Sequence, residues 1–415
     1  MTLPKTHVSS TTSATSTRLH GHSTRAVHAG AKRKKPYHAL IEPIVQTATY
    51  AFDDLADIQA FIAAKEQGSV THDDYGRYGN PTVQAVESRI AALENADSAL
   101  LLSSGMAAIT TTLLALLRSD DHIIITDDCY KRTREFIETF FARYGVSCTT
   151  VPMGNFEALA SAITPKTRII ISETPTNPYL RVLDIDRLVQ IAKTHNLLTL
   201  LDTTFATPIN LRPAQFGVDL IIHSGTKYLG GHHDLLAGTV VGREDLIDQI
   251  REHLGMLGGI ISPQNAFLLG RGLKTLALRV RHQNNNAQQV AEYLESHPEI
   301  EQVWYPGLLS HPDHEIATRQ MEGFGGVVSF TLCGTLDETA AFIDRMRLPY
   351  ITPSLGGTES LISQPALMSY YKLTGAERQA IGIPDNLVRF ALGIEDIEDV
   401  LADLEQALGR KQNAV

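Results

Sequence analysis

Short apolar runs alternate with helical patterns from about residue 97 to residue 242 of this 415-residue sequence. The runs 123–126, 168–172 and 220–223 are largely apolar and do not alternate regularly with polar residues. Strands of that kind are buried on both faces, as in a mostly parallel sheet that helices cover. The pattern therefore predicts a layered α/β domain, and no other feature of the sequence constrains the fold as strongly.

The predicted elements of this region come in strand and helix pairs. The strands are 98–102, 123–126, 147–151, 168–172, 197–201, 220–223 and 238–241, and the helices are 105–117, 133–144, 156–163 and 186–195. A long helical region with a break at 255–263 follows, over 244–296. Beyond it, a strand and two helices predict a smaller α+β domain, and they lie at 325–330, 336–346 and 397–408.

These patterns divide the sequence into four parts. We predict a disordered tail at 1–23, an N-terminal arm at 24–75, a ligand-binding α/β domain at 76–262 and a C-terminal domain at 263–415. The tail is rich in serine and threonine and has no acidic residue, so a transit-type peptide is the alternative. It contains no apolar segment of the kind that directs secretion.

Composition argues against several classes of function. A net charge of −10 disfavours a general nucleic-acid binder and a protein that associates with an anionic membrane surface. No apolar run approaches the length of a membrane span. The three cysteines are an odd number without metal-ligand spacing, which indicates a reducing compartment, and we expect a cytoplasmic protein. His232, His233 and Asp234 have no second ligand cluster, so no metal site is predicted.

Polar and small residues follow the predicted strands. Ligands of open α/β sheets bind at the carboxyl ends of the strands, so these loops have to be considered together. They supply hydroxyl groups, a glycine turn, a tyrosine, an asparagine, an aspartate and a lysine, from 103–106, 127–130, 173–178, 202–204 and 224–227. Such a set is suited to one ligand.

Lys227 follows an apolar run and is flanked by serine, threonine and a glycine pair. A buried or crowded lysine amine loses its proton more readily and becomes nucleophilic. Lys227 is therefore a candidate Schiff-base lysine. The alternative is a surface lysine in a flexible glycine loop.

The start of the helix after the first strand is a candidate phosphate site. Helix N-termini offer free N–H groups and a partial positive charge, and Gly105 allows a close approach of the backbone. Ser224 and Thr226 are candidate hydroxyl donors to the same phosphate. In the simpler alternative, Ser104 only caps the helix.

Three further side chains are suited to a planar, protonated ring. Asp202 could pair with a ring nitrogen, Tyr130 could stack on the ring face, and the Asn177 amide could donate to a ring oxygen. Each also has an ordinary alternative, as a turn cap, a core tyrosine and an Asx-turn. Together with the lysine and the phosphate site, they indicate pyridoxal phosphate.

Six segments carry a resemblance to a known family. They are 75–82 (YGRYGNPT), 104–108 (SGMAA), 173–178 (ETPTNP), 223–228 (HSGTKY), 354–360 (SLGGTES) and 386–390 (NLVRF). In this order and spacing, over about 27–408, the sequence resembles the Cys/Met-metabolism family of pyridoxal-phosphate enzymes. The resemblance implies a fold-type I architecture similar to that of aspartate aminotransferase, and a homotetramer built from dimers.

The resemblance also implies roles for particular residues. Lys227 and Tyr130 are the implied catalytic residues, and Arg389 and Ser354 are implied to bind the amino-acid substrate. The implied cofactor-binding residues are Tyr75, Arg77, Gly105, Met106, Tyr130, Asn177, Asp202, Ser224, Thr226 and Lys227. Among these, Tyr75 and Arg77 would reach the cofactor phosphate of the neighbouring subunit.

The cations after Tyr130 indicate a substrate class. The segment 130–134 (YKRTR) resembles the plant-type branch of the family, which implies γ-replacement of an activated homoserine ester by cysteine, giving cystathionine. Lys131 and Arg132 would bind an acidic distal group of the ester, unless they form a solvated helix face. A cystathionine lyase, a homocysteine-forming sulfhydrylase and a non-catalytic metabolite-binding protein are the alternatives.

Overall fold

The computed structural model describes residues 21–67 and 72–409. Most of the predicted tail, residues 1–20, lies outside the described residues. Helix α1 begins at His22 and extends to His28, so a helix starts inside the segment predicted as tail. The predicted arm contains a second helix, α2 (Leu55–Glu66), whose N-terminus is capped by the Asp54 side chain.

The larger domain is built on a seven-stranded sheet. Its strands are β1 (Ser98–Leu102), β2 (His122–Thr126), β3 (Ser147–Val151), β4 (Thr167–Glu173), β5 (Leu198–Asp202), β6 (Leu220–Ser224) and β7 (Gly238–Gly242). They are ordered β1-β7-β6-β5-β4-β2-β3, and only β7 runs antiparallel to its neighbours. The carboxyl ends of the other six strands therefore share one edge.

Helices connect these strands and cover both faces of the sheet. They are α3 (Pro81–Glu94), α4 (Gly105–Leu116), α5 (Lys131–Glu135), α6 (Phe156–Ser161), α7 (Ile185–Thr194), α8 (Thr207–Asn210) and α9 (Glu244–Leu257). Short 3₁₀ or π turns lie at Pro36–His38, Phe136–Phe140, Phe141–Tyr144 and Pro213–Phe216. One core layer contains α4 and α9, and the other contains α3.

The smaller domain has a five-stranded sheet. Its strands are β8 (Ile300–Trp304), β9 (Val327–Leu332), β10 (Tyr350–Ile351), β11 (Leu361–Ser363) and β12 (Leu387–Ala391). The order is β10-β11-β12-β9-β8, and only β10 and β11 are parallel. The helices are α10 (Pro263–Leu273), α11 (Leu276–Glu295), α12 (His314–Gln320), α13 (Leu336–Arg345), α14 (Pro365–Met368), α15 (Gly375–Ala380) and α16 (Ile397–Leu408).

The structure confirms the predicted fold class, with a mostly parallel sheet domain and a smaller second sheet domain. The main departure within the large domain is the helix predicted at 133–144. It divides into α5, a π turn and a 3₁₀ turn, where the rings of Phe136, Phe140 and Phe141 pack against one another. Within residues 21–67 and 72–409, no helix is both long and apolar enough to cross a membrane.

Candidate active site

The carboxyl edge of the large sheet brings together most of the side chains predicted for one ligand. Asp202 and Ser224 end β5 and β6, and Lys227 follows in the turn after β6. The loops after β1, β2 and β4 add Gly105, Tyr130 and Asn177. These strands lie in one sheet and point the same way, so the fold itself assembles the site.

The Lys227 amine is the candidate reactive group at this edge. Its Nζ donates a hydrogen bond to Ser354 Oγ over 2.8 Å. Burial, and to a smaller extent the positive charge of Arg389, lowers the pKa of Lys227 from 10.5 to about 8. An amine with this pKa is partly neutral near neutral pH, so it can act as a nucleophile and as a base.

Asp202 is a buried acid at the same edge and the candidate partner of a ring nitrogen. Its Oδ1 accepts hydrogen bonds from the backbone N–H of Thr204 at 2.9 Å and from the Thr204 hydroxyl at 2.6 Å. Burial of the carboxyl group raises the pKa of Asp202, while these hydrogen bonds and the charge of His223 act against the increase. A buried carboxylate of this kind is stabilised by a cation placed against it, and a protonated ring nitrogen is such a cation.

Glu173, at the end of β4, fixes the segment that carries Tyr130. Its Oε2 accepts the Tyr130 backbone N–H over 2.7 Å, and its cross-strand neighbour is Asp202. Burial, followed by the negative charges of Asp202 and Asp128, raises the pKa of Glu173 well above its usual value. Tyr130 itself is 47% exposed, so one ring face is available for stacking on a planar group.

The predicted phosphate end is a tight cradle. A Cβ added to Gly105 would lie 3.1 Å from the Cβ and 3.3 Å from the Oγ of Ser224, so any larger residue would crowd this contact. Ser104 caps α4 by accepting the Ala107 N–H over 3.1 Å. The Thr226 hydroxyl donates to the Ala237 carbonyl over 3.3 Å and accepts the Ala237 N–H over 3.1 Å, so its hydrogen bonds are made to the backbone of its own chain. Met106, another predicted cofactor residue, is partly buried and packs against the core layer that contains α4.

Arg389 joins the smaller domain to the site. Its guanidinium donates to Asn177 Oδ1 at 3.3 Å and to the Ser354 carbonyl at 3.0 Å. Its Nε is buried and has no partner within the described chain. Burial lowers the pKa of Arg389 to about 10, which still leaves it charged at neutral pH. Lys227, Ser354 and Arg389 therefore form a continuous polar contact between the two domains.

A cavity of about 520 Å³ opens beside Tyr130, and it is lined by residues of both domains. Lys131 and Arg134 form part of its wall, and the Lys131 Nζ lies 5.2 Å from the ring centroid of Tyr370. The Arg134 Nε is buried and makes no hydrogen bond within the described segments. Arg132 is not part of the wall, because its exposed side chain forms an ion pair with Glu135 over 2.6 Å.

Of the predicted site residues, Tyr130, Lys131, Asn177 and Arg389 line the cavity beside Tyr130, whereas Tyr75 and Arg77 are among those that do not. Tyr75 forms an isolated β-bridge with Thr49, and Arg77 donates to the Gly255 carbonyl over 2.5 Å. The guanidinium carbon of Arg77 lies 4.8 Å from the ring centroid of Tyr78. A role in a neighbouring subunit stays a prediction for both residues.

The sequence does not single out Glu173 or Tyr370 as site residues, and it indicates Arg134 only as one of the three cations after Tyr130. Glu173 is the last residue of β4, one position beyond the strand that the apolar run predicts. The sequence around Tyr370 carried no signal. Only the packing of α14 and the following loop against the larger domain brings Tyr370 to the cavity.

The residues present fit pyridoxal phosphate. The Gly105 backbone lies against Ser224 at the start of α4, where the free N–H groups of a helix N-terminus are suited to a phosphate. Asp202 provides an acceptor for a protonated ring nitrogen, and Lys227 provides an amine that is readily deprotonated. These three features are suited to different parts of the same cofactor, and the buried, unpartnered Nε of Arg389 provides a donor for the carboxylate of an amino-acid substrate.

Comparison with known proteins agrees with this assignment. A model of the Cys/Met metabolism PLP-dependent enzymes matches residues 23–409. Cystathionine gamma-synthase 1, chloroplastic, from Arabidopsis thaliana is 47% identical over 92% of this chain and 68% of its own length. L-methionine gamma-lyase from Fusobacterium nucleatum is 41% identical, over 94% of this chain and 98% of its own length.

The fold has a close match among solved structures. A crystal structure of metB from Corynebacterium glutamicum superposes with a TM-score of 0.87 and 38% identity, covering 94% of this chain and 98% of that one. A family match of this extent establishes the cofactor as well as the fold. The chain belongs to the family of Cys/Met metabolism PLP-dependent enzymes, and pyridoxal 5′-phosphate is its cofactor.

Proposed function

We propose that the enzyme catalyses γ-replacement, in which an activated homoserine ester and L-cysteine give L-cystathionine. The observation that carries the proposal is the cationic wall of the cavity beside Tyr130, formed by Lys131 and Arg134. Such a wall is suited to an ester whose distal group is acidic. The 47% identity to the Arabidopsis cystathionine gamma-synthase supports the same reaction.

The residues of the chain have separate tasks in this reaction. When bound, the cofactor supplies an electron sink for carbanion chemistry. Arg389 would bind the substrate α-carboxylate with its fork of N–H donors, and Ser354 would hold Lys227 in place. Lys227 Nζ would accept the proton from the substrate Cα, and it would later return protons to the carbon chain. Tyr130 would stack on the cofactor ring.

The distal acidic group would lie against the cationic wall. Lys131 is held over the Tyr370 ring and so presents its ammonium at a defined place. Arg134 contributes a guanidinium with a buried, unpartnered Nε. Because a charge-assisted hydrogen bond is stronger than a neutral one, an acidic ester would bind better than an uncharged ester. Of the two cations first predicted to bind the ester, Arg132 is the less favoured, since it pairs with Glu135.

A lyase is the second candidate. The L-methionine gamma-lyase relative is 41% identical over nearly its whole length, so elimination from a sulfur amino acid has support. An elimination needs no acidic distal group, and the cationic wall would then have no substrate to contact. The two candidates therefore differ in the substrate that the wall selects.

Product analysis tests the proposal. The purified enzyme is incubated with cysteine and with O-phospho-, O-succinyl- or O-acetylhomoserine, and separately with methionine alone. Cystathionine and 2-oxobutyrate are quantified in each reaction. We expect cystathionine as the main product and faster turnover of the two acidic esters. Rapid release of 2-oxobutyrate from methionine, with no cystathionine from any ester, would assign the enzyme to the lyases.

We also propose a cytoplasmic homotetramer built from dimers. The Arg77 side chain donates to the Gly255 carbonyl and does not line the cavity beside Tyr130, and Tyr37 and Leu40 of the arm are more than 90% exposed, which leaves apolar surface for a partner. Mixing two inactive variants, Arg77→Ala and Lys227→Ala, should restore activity, because a hybrid dimer has one intact site.

Free cysteines suit the cytoplasm, and fractionation of cells tests this location.

A further inference from the structure

A second cavity, of about 840 Å³, opens beside the lysine segment. Ser354 and Thr226 form part of its wall, and Ser354 Oγ accepts the hydrogen bond from Lys227 Nζ over 2.8 Å. The cavity therefore begins one side chain away from the candidate reactive amine. It shares no lining residue with the cavity beside Tyr130, so it is a separate space that the proposed role of the cationic wall does not use.

His233 lies in the wall of this cavity and has a left-handed backbone, with a φ of 56°. That conformation is uncommon for a residue other than glycine, and it persists only where the surrounding structure enforces it. Gly357 leaves room for the ring, because a Cβ added to this glycine would lie 1.8 Å from His233 Nε2. A strained backbone and a bare glycine thus fix the place of the imidazole, and strain of this kind clusters at functional sites.

The imidazole of His233 has the surroundings of a proton acceptor. Its side chain is 27% exposed, so a ligand in the cavity can reach it. Burial lowers the pKa of His233 from 6.5, the charges of Glu359 and Asp234 oppose this decrease, and those of Lys227 and His232 add to it. The ring is therefore neutral at pH 7. Its Nε2 lies 3.9 Å from Glu359 Oε2, a carboxylate that would stabilise the imidazolium once a proton has arrived.

A neutral imidazole beside a free cavity is suited to the second substrate of the proposed reaction. Cysteine has to lose its thiol proton before its sulfur can attack, and a thiol with a pKa of about 8.5 holds that proton at neutral pH. We propose that this cavity receives the incoming cysteine and that His233 accepts its thiol proton. The role rests on the proposed γ-replacement, because an elimination has no incoming thiol.

The proton transfer is one part of the substitution at the γ-carbon of the ester. The S–H bond breaks and its proton moves to the imidazole of His233, while an electron pair of the sulfur forms the bond to the γ-carbon. That carbon has lost the ester oxygen, which left with the electron pair of the C–O bond. The imidazolium then releases its proton to solvent, so the net products are cystathionine and the acid of the ester.

Steady-state kinetics with cysteine as the varied substrate tests this role. His233→Asn is the test variant, because asparagine tolerates the left-handed backbone. At pH 7 its kcat/KM for cysteine should be about a hundredfold lower than that of the wild type, which is the contribution typical of a general base. Release of 2-oxobutyrate from the same ester without cysteine should keep its rate, because no thiol takes part. His282→Asn, at an exposed position of α11, is the control and should leave both rates unchanged.

The pH dependence distinguishes a base from a structural role. In the wild type, kcat/KM for cysteine should rise with an apparent pKa below 6.5, as His233 loses its proton. In His233→Asn it should instead follow the thiolate of cysteine and rise through a pH of about 8.5. Diethyl pyrocarbonate acylates neutral imidazoles, so mass mapping of the treated wild type over the same pH range should give the same pKa for His233 without turnover.

Gly357→Ala provides an independent variant. Its Cβ would displace the imidazole, so it should also lower the kcat/KM for cysteine, while cofactor binding in a spectrophotometric titration stays unchanged. This variant decides the question if His233→Asn fails to fold, since unchanged cysteine kinetics in Gly357→Ala would then overturn the proposal.

The remaining outcomes separate this role from the reaction itself. A wild type that makes no cystathionine from any ester would overturn both. A wild type that makes cystathionine, with unchanged cysteine kinetics in His233→Asn, would overturn the role of His233 alone. Equal losses of cystathionine and 2-oxobutyrate formation, or a His233 that diethyl pyrocarbonate does not reach, would assign the histidine to the structure and would overturn its role as well.

Discussion

Replacing Lys227 with methionine should stabilise the cofactor-free protein near neutral pH. The folded structure lowers the pKa of this amine from 10.5 to about 8, so folding opposes its protonation. A tenfold change in proton affinity corresponds to about 1.4 kcal/mol. The charged amine therefore lowers the free energy of unfolding by about 3 kcal/mol at pH 7. The substitution also removes the hydrogen bond to Ser354, which destabilises the fold by about 1 kcal/mol. The free energy of unfolding of Lys227→Met should therefore exceed that of the wild type by about 2 kcal/mol.

The pH dependence of this gain has a definite sign. Below pH 8 the amine is protonated in both states, and the full cost is present. Between pH 8 and 10.5 the unfolded chain holds a proton that the folded chain has lost, so the stability of the wild type rises with pH. The advantage of Lys227→Met should therefore shrink by about 2 kcal/mol between pH 7 and 9.5.

Urea unfolding of both cofactor-free proteins, at one protein concentration and at pH 7 and 9.5, measures the effect. Lys193→Met is a suitable control, because Lys193 is exposed and its replacement should change the free energy of unfolding by less than about 0.5 kcal/mol. The reasoning would be refuted by a Lys227→Met variant that is no more stable than the wild type at pH 7. A gain that does not change with pH would refute it equally.

Three further predictions concern the loaded site. Lys131→Ala and Arg134→Ala should each raise the KM for an acidic homoserine ester about tenfold with little change in kcat. Arg132→Ala should change this KM only slightly. Steady-state kinetics measures these constants, and an uncharged ester serves as the control substrate. Covalent capture of added cofactor by Lys227, followed by absorbance, should accelerate as pH rises through 8, because the neutral amine is the nucleophile. Asp202→Asn should weaken cofactor binding about tenfold or more in a titration, because the charge-assisted contact with the ring nitrogen is lost.

The large domain was accessible to sequence reasoning because buried strands leave apolar runs that end in polar loops. Asp202 and Lys227 were found in this way, since parallel strands bring their carboxyl ends to one edge. Arg389 and Ser354 were found through family resemblance alone. The short strands β10 to β12 lie near them and leave little periodic signal.

The sequence does not predict which way a side chain points or which distant residues are in contact. Arg132 and Arg134 lie two residues apart on the five-residue helix α5, and only tertiary packing sends one to solvent and the other to the cavity. Glu94 and His223 are 129 residues apart in the chain, and neither position carries a local pattern that indicates the other. Helix α2 contains no buried residue, so its sequence lacks the apolar face that predicts a helix packed on a core.

The contact from Lys227 through Ser354 to Arg389 has a consequence for the timing of proton transfer. The charge of Arg389 helps to keep the lysine amine weakly basic. An incoming carboxylate neutralises that charge, so the proton affinity of Lys227 should increase at the moment when a substrate occupies the site. The amine would then hold an abstracted proton more firmly in the occupied site than in the empty one.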